Sequence, residues 1–149
     1  MIISQSSHCG LIIITELALN YERNGLTIRK ISETHHIPEH ILDPVLEKLC
    51  RTGLLRHESG EDNQLFFFLQ RKLDAICLWD IIRIFEQDFF SGSFLDEQSG
   101  KILQSSHLTS IINQERKHIS KYLISRFKKM NIWHLCDRIK YTSTNPINP

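Results

Sequence analysis

TIRKISETHHIPEHILDPVLEKLCRTG, residues Thr27–Gly53, reads as two short helices joined by a tight turn and closed by a glycine stop. Ile28 and Ile31 stand three apart on one face of the first helix, which leaves Arg29, Lys30 and Glu33 pointing outward. Pro38 pushes the residues before it out of helical geometry and suits the first turn of a new helix, so the turn is expected at His36–Pro38. Ile41, Leu42, Val45, Leu46 and Leu49 then repeat at helical spacing, and Gly53 follows as a C-terminal cap. Pro44 admits two readings. It either kinks this second helix by removing an amide bond, or forms with Asp43 a cap and first turn from which the helix proper begins.

Working outward, Leu54–His57 is expected to form a strand, Glu58–Asn63 a polar turn, and Leu65–Leu69 the returning strand. The sequence LFFFL is apolar on both faces, so one face should pack on the helices while the other needs a partner or an appended segment. Upstream, Ser6–Tyr21 carries Leu11, Ile14, Leu17, Ala18 and Tyr21 at helical intervals, with Asn20–Gly25 as the exit. Ile12 and Ile13 break that stripe, which implies a helix buried on more than one side. A helix, a helix-turn-helix and a hairpin make the plan of a winged helix-turn-helix, a fold that usually lays its second helix in the major groove of DNA.

Asp74–Glu86 reads as a further helix with Ile76, Trp79 or Ile81, Ile82 and Phe85 on its apolar face. Asp88–Gly100 reads as a loop anchored by Phe89, Phe90, Phe94 and Leu95. A long helix is expected from about Leu108 to Met130, with Leu108, Ile111, Ile112, Ile119, Leu123 and Phe127 on one stripe. At ~1.5 Å per residue it would span more than ~30 Å, too long to pack entirely on a small domain, and the stripe is therefore the expected dimer interface. Ile132–Ile139 is a short final helix, and the tail from Thr142 is polar and expected to be disordered. The expected fold class is mainly α with a small β-wing: a winged helix-turn-helix over residues 1–73, a connecting helix and loop over 74–106, the dimerisation helix and short final helix over 107–140, and a tail over 141–149.

The charge is unevenly spread. The chain of 149 residues has a net charge of +1, yet residues 1–73 hold eight Lys/Arg against nine Asp/Glu, and residues 100–149 hold nine against two. The basic charge thus sits away from the expected DNA reader. Cys9, Cys50, Cys77 and Cys136 show no C-x-x-C spacing, so no metal site is indicated, and Cys50 reads as an inert thiol on the inner side of its helix. The apolar run Leu11–Ile14 is cut by Thr15 and Glu16, and no stretch approaches the ~20 apolar residues of a membrane span, so a reduced, cytoplasmic protein is expected. No nucleophile elbow, phosphate loop, zinc-protease motif or dinucleotide fingerprint is present, and no catalytic residues or cofactor are assigned.

Several segments carry a resemblance in combination. They are the opening MIIS with the helix ending ELAL, the stretch ISETHHIPEHILDPVLEKLCRTGLL with its exit from Lys48-Leu49 to Gly53-Leu54, then AICLWDIIRIFE and NIWHLCDRI. In this order they resemble the Rrf-two family of winged helix-turn-helix transcriptional regulators, the group that includes IscR-like and NsrR-like proteins, over about residues 1–140. The resemblance implies a homodimeric DNA-binding regulator. Two departures modify it. The family's wing usually shows Arg-Gly and then Gly-Gly-Tyr, where this chain has Ser59-Gly60 and Asn63-Gln64-Leu65, and it adds Glu58, Glu61 and Asp62. Cluster-bearing members place three cysteines in the loop before the long helix, whereas Asp88–Ser106 has none, so a family-type iron–sulfur cluster is not expected and His107 alone does not replace it.

The expected partners are double-stranded DNA, a second copy of the chain, and an unidentified effector acting through the loop Asp88–Gly100. Glu39, His40 and Asp43 at the start of the second helix are the candidates for base contact, Asp43 accepting from cytosine and His40 donating to guanine or phosphate. Arg29, Lys30, Lys48, Arg51, Arg56 and His57 are the candidates for backbone contact. His35, His36, His40 and His57 crowd the same side, which would make DNA affinity rise as pH falls. The competing reading is a winged-helix interaction module that has lost DNA binding and uses its apolar wing for a protein partner.

Overall fold

In the computed structural model, residues 3–20, 23–87 and 107–144 are described. Thr27 opens the helix-turn-helix: its hydroxyl accepts a hydrogen bond from the Lys30 amide at 3.2 Å and caps helix α2, Ile28–His35. His36 then adopts left-handed backbone at φ 54°, ending α2, and extended Pro38 starts helix α3, Glu39–Arg51. The turn therefore falls at His36–Pro38, as the proline indicates. At the far end of α3, Gly53 takes φ 75° and the Leu54 amide bonds back to the Leu49 carbonyl at 3.1 Å. This left-handed cap turns the chain into the wing.

The wing is an antiparallel pair, β1 (Leu55–Ser59) and β2 (Leu65–Leu69), in the register Leu55 with Leu69 through Ser59 with Leu65. At its tip Asn63 holds φ 57°, so an asparagine supplies the left-handed turn residue without a glycine. Leu65 at the tip of LFFFL is exposed, while the three phenylalanines find cover on both faces within the chain. Phe67 is buried and exchanges two backbone hydrogen bonds with Leu26, at 3.0 and 2.9 Å. Phe68 lies beneath the Arg56 guanidinium, 4.6 Å from its ring centre, and against Gly25. Phe66 packs beside Gly60.

Helix α1, Gln5–Asn20, lies at the centre and touches α3, strand β2 and the helices Leu78–Phe85 and Ile132–Thr144. Ile13, Ile14 and Leu17 are fully buried, and Leu11 and Ile12 are half-buried. Ile13 thus joins the core from outside the Leu11–Ile14–Leu17 stripe, because α1 has neighbours on several sides. Tyr21 lies outside the described residues.

Helix α4 spans Leu78–Phe85 and does not start at Asp74 as expected; Leu73–Ala75 is a single 3-10 turn. The reason is a long-range pairing: Ile76 and Cys77 are extended because the Leu78 amide bonds the Met130 carbonyl and the Ile132 amide bonds the Ile76 carbonyl, both at 2.8 Å. Asp80 then caps α4 by accepting from the Cys77 amide at 3.1 Å. Helix α5 runs from His107 to Lys129, and α6 from Ile132 to Thr144, longer than expected, so Thr142–Thr144 are helical and not tail. The loop Asp88–Gly100 lies outside the described residues. The core runs without interruption past residue 73: Ile76, Ile81, Ile82 and Ile132 are buried in one cluster with Ile14, Leu17, Leu42, Leu46 and Leu49.

Glu86 ties the start of α1 to the end of α4. Its carboxylate accepts from the Ser4 amide at 2.6 Å and from the hydroxyl of fully buried Ser7 at 2.5 Å. Burial pushes this carboxyl up, but the hydrogen bonds from Ser7 and Ser4 outweigh that effect and hold it below its ordinary value. A carboxylate with a lowered folded pKa contributes stability above its unfolded value, and that contribution is lost as pH falls through the folded one. Chemical denaturation of Glu86→Gln is therefore expected to show lower stability at neutral pH, with the gap to the parent closing under acid. The two left-handed glycines make a second test. A Cβ at Gly53 meets nothing within 4 Å, whereas one at Gly25 falls 2.6 Å from Phe68. Gly53→Ala should cost about 1–2 kcal/mol from backbone strain alone, and Gly25→Ala clearly more, in the same denaturation series.

Candidate nucleic-acid interface

Helix α3 buries Leu42, Val45, Leu46 and Leu49 and exposes Glu39, His40, Asp43, Pro44, Glu47, Lys48 and Arg51. Four-residue spacing aligns Glu39, Asp43 and Glu47 into one acidic ridge along the solvent face. Glu47 completes that ridge and was not among the residues singled out from sequence; the i, i+4, i+8 spacing of acids was the available signal. Pro44 sits inside α3 as its sixth residue. The helix does not begin at Asp43-Pro44. The ring leaves the His40 carbonyl without its intrahelical amide partner, on the exposed side.

The structure divides the expected cations. Lys30 is exposed at the start of α2. Arg29 pairs with Glu33 at 2.9 Å, and Arg51 with Glu47, both one turn apart on exposed helix faces. Lys48 leans toward α4, its ammonium 5.6 Å from the Phe85 ring centre. Arg56 pairs with Glu58 while stacking on Phe68. His57 is exposed with its ring 6.2 Å from that of Phe67. His36 and His40 are exposed, but His35 is turned inward, its Nε2 3.2 Å from a Glu16 oxygen on α1. That pair anchors the helix-turn-helix to α1 and removes His35 from the DNA-facing set.

The stripe on α5 also divides. Ile111, Ile112 and Ile119 are 45%, 53% and 55% exposed, joined by Tyr122, which sequence reasoning had not included. Leu123 and Phe127 are half-buried, and Phe127 packs against the core of its own chain. The side chain of Leu108 lies outside the described residues. Ile112, Ile119 and Tyr122 fall at the seven- and three-residue steps of a helix seam.

A two-helix reader with a hairpin wing, followed by a long helix with a bare apolar seam, matches known proteins along its length. The family model Rrf2, described as an iron-dependent transcriptional regulator, matches residues 3–138. The chain belongs to the Rrf2 family. It is a DNA-binding transcriptional regulator by membership, in a family of regulators and not of enzymes. It is 31% identical over 98 residues to the helix-turn-helix regulator CymR of Bacillus subtilis, covering 66% of this chain and 70% of CymR. A helix-turn-helix regulator of Aquifex aeolicus is 33% identical over 85 residues, and the match spans 57% of each protein. The solved structure of CymR, the global cysteine regulator of B. subtilis, superposes with a TM-score of 0.70 over 93% of this chain and 98% of that one, at 21% identity. The fold is thus shared over nearly the whole length, with identity concentrated in the shorter aligned part.

The family's iron dependence raises the question of donors. The four cysteines are free, and burial pushes each of their thiols up from the ordinary value. Among the described residues no group of three or more His, Cys, Asp or Glu is arranged to hold a metal ion, and residues 88–106 contain no cysteine. This donor set does not fit a cluster held by neighbouring thiolates.

Proposed function

We propose that this Rrf2 regulator acts as a homodimer that reads duplex DNA with the exposed face of α3 and works without a thiolate-held cluster. The observation that carries the reading is the polar ridge on α3, presented on a helix whose opposite face is locked into the core. Glu39 and Asp43 are acceptors, and the base edges that donate to carboxylates in the major groove are chiefly those of cytosine N4. His40 and Lys30 supply phosphate contacts, with Arg29, Arg51, Arg56 and His57 available once their glutamates or ring contacts are exchanged for phosphate oxygens. Lys48 serves the fold more than the DNA, given its place over Phe85.

The acidic ridge and the Glu58-bearing wing repel phosphate, so non-specific affinity should be low and discrimination should rest on base contact and on pairing two half-sites. Dimerisation through Ile111, Ile112, Ile119 and Tyr122 supplies that pairing: α5 is 23 residues, about 34 Å, and near its C-terminal end Phe127, with Met130 just beyond the helix, packs on its own core. Residues 1–73 with α4 and α6 form the reading body, and α5 the arm between copies. A cytoplasmic location follows from the DNA partner. No helix among the described residues is long and apolar enough to cross a membrane.

Selection from a random duplex pool is expected to enrich a two-fold symmetric site with cytosines at the positions facing Asp43. Asp43→Ala should relax preference there by about 1–3 kcal/mol while raising affinity for random duplex. Ile119→Glu should weaken self-association at least ~10-fold in sedimentation and lower operator affinity with it. A binding isotherm with no salt dependence and no enriched sequence would sink the DNA-reading mode, and a parent protein that sediments as a monomer would sink the dimer.

A further inference from the structure

A cleft of about 370 Å³ opens where the C-terminal end of α3, the exit of the wing and α4 meet. That volume lies near the lower end of small-molecule sites, ~300–1,000 Å³. Its floor is apolar, made of Leu54 and Ile84, which are buried in the core. Arg71 from the wing exit, Arg83 from α4 and Gln87 also line it. Asp80 also borders the cleft, but its carboxylate is engaged: one oxygen caps the Cys77 amide at 3.1 Å and the other faces Arg83 at 3.4 Å. Arg71 is exposed and has no ion pair among the described residues. The lining therefore carries a net single positive charge and one guanidinium fork with its donors available.

We propose that this cleft binds a small monocarboxylic acid with a short hydrocarbon portion, and that its occupancy sets the DNA affinity of the protein. Charge and surface select this class together. The carboxylate takes the Arg71 fork, and Arg83, held to Asp80 only at 3.4 Å, is able to share it. The hydrocarbon covers Leu54 and Ile84. An inorganic phosphate would bring more charge than the lining balances and would leave the floor wet, and an amine would be repelled.

The second half of the proposal rests on the DNA-reading mode above. Thr52, on the rim of the cleft, is the C-cap of α3, its hydroxyl donating to the Lys48 carbonyl at 3.0 Å. Leu54 leads directly into β1. A ligand gripping Arg71 and Arg83 thus ties the base of the wing and the end of α3 to α4. The reading residues lie at the other end of the same 13-residue helix, about 20 Å away.

The test titrates butanoate, hexanoate, octanoate and benzoate into the full-length ¹⁵N-labelled protein, with hexylamine, hexanol and inorganic phosphate as comparators. At least one carboxylate should shift the amides of Thr52, Leu54 and Gln87 saturably, and the comparators should not. Arg71→Gln should weaken that binding at least ~10-fold, while Arg23→Gln, away from the cleft, should leave it unchanged; both variants are surface changes and should melt like the parent. The saturating carboxylate should change affinity for the selected operator at least ~5-fold in the parent and not in Arg71→Gln, as reciprocal coupling requires. No saturable shift with any carboxylate, equal binding of hexylamine or phosphate, or an unaffected Arg71→Gln variant overturns the site. Saturation without any change in operator affinity overturns the effector role. Absence of operator binding in ligand-free protein strikes instead at the DNA-reading mode, and the amide shifts then decide the cleft by themselves.

Discussion

Burial of helix α1 is the constraint on which the rest depends. Ile13, Ile14 and Leu17 are completely enclosed, and they are enclosed by elements from both ends of the chain: α3 and β2 on one side, α4 and α6 on others. Each such side chain is worth about 1.5–3 kcal/mol when fully removed from water, and none of these neighbours alone covers α1. The helix-turn-helix is consequently not a freestanding unit with a C-terminal appendage. Ile132 and Cys136 of α6 complete the same core that positions α3. The Glu16–His35 pair and the Glu86–Ser4–Ser7 cluster fix the two ends of α1 in that arrangement by polar contact.

This explains what the sequence made legible. The two helices and turn of Thr27–Gly53 were readable because their signals are local: apolar spacing, a proline at the turn and a glycine whose left-handed conformation stops the helix. The hairpin was readable for the same reason. The start of α4 was not, because Ile76 and Cys77 are extended only through pairing with residues near Asn131, more than fifty positions away. Nor was the burial of Ile13, which follows from how many neighbours surround α1 and not from the period of its stripe. The Rrf2 resemblance was carried by segments at both ends of the chain, and these are the segments that meet around α1.

The exposure of the candidate residues was legible in the sequence, and their partners less so. Sequence placed Glu39, His40 and Asp43 on the exposed face of α3, where they are found. It did not tell which cations the fold had already engaged. Lys48 lies over Phe85, and Arg29, Arg51 and Arg56 are held by glutamates of their own elements. The stripe on α5 is divided by the fold in the same manner. Phe127 turns inward because the 76–132 pairing holds the end of that helix against the body, while Tyr122 joins the outward seam.

If α3 reads DNA as proposed, its acidic ridge alters how such a regulator must discriminate. Exposed ion pairs such as Arg51 with Glu47 contribute little to folding, ~0–1 kcal/mol, so exchanging the glutamate for a phosphate oxygen is inexpensive for the fold. The cost falls on the glutamate, which is then left beside DNA unless a base donor receives it. In the proposed mode correct sequence and phosphate contact would be coupled: where a donor such as cytosine N4 meets the carboxylate, the arginine would be released to the backbone, and where none does, repulsion would remain. A wrong base is then penalised both by the missing hydrogen bond and by the lost phosphate contact. In a homodimer each such penalty is counted on both half-sites. Weak attraction to DNA in general and sharp preference for one sequence would then arise from the same residues.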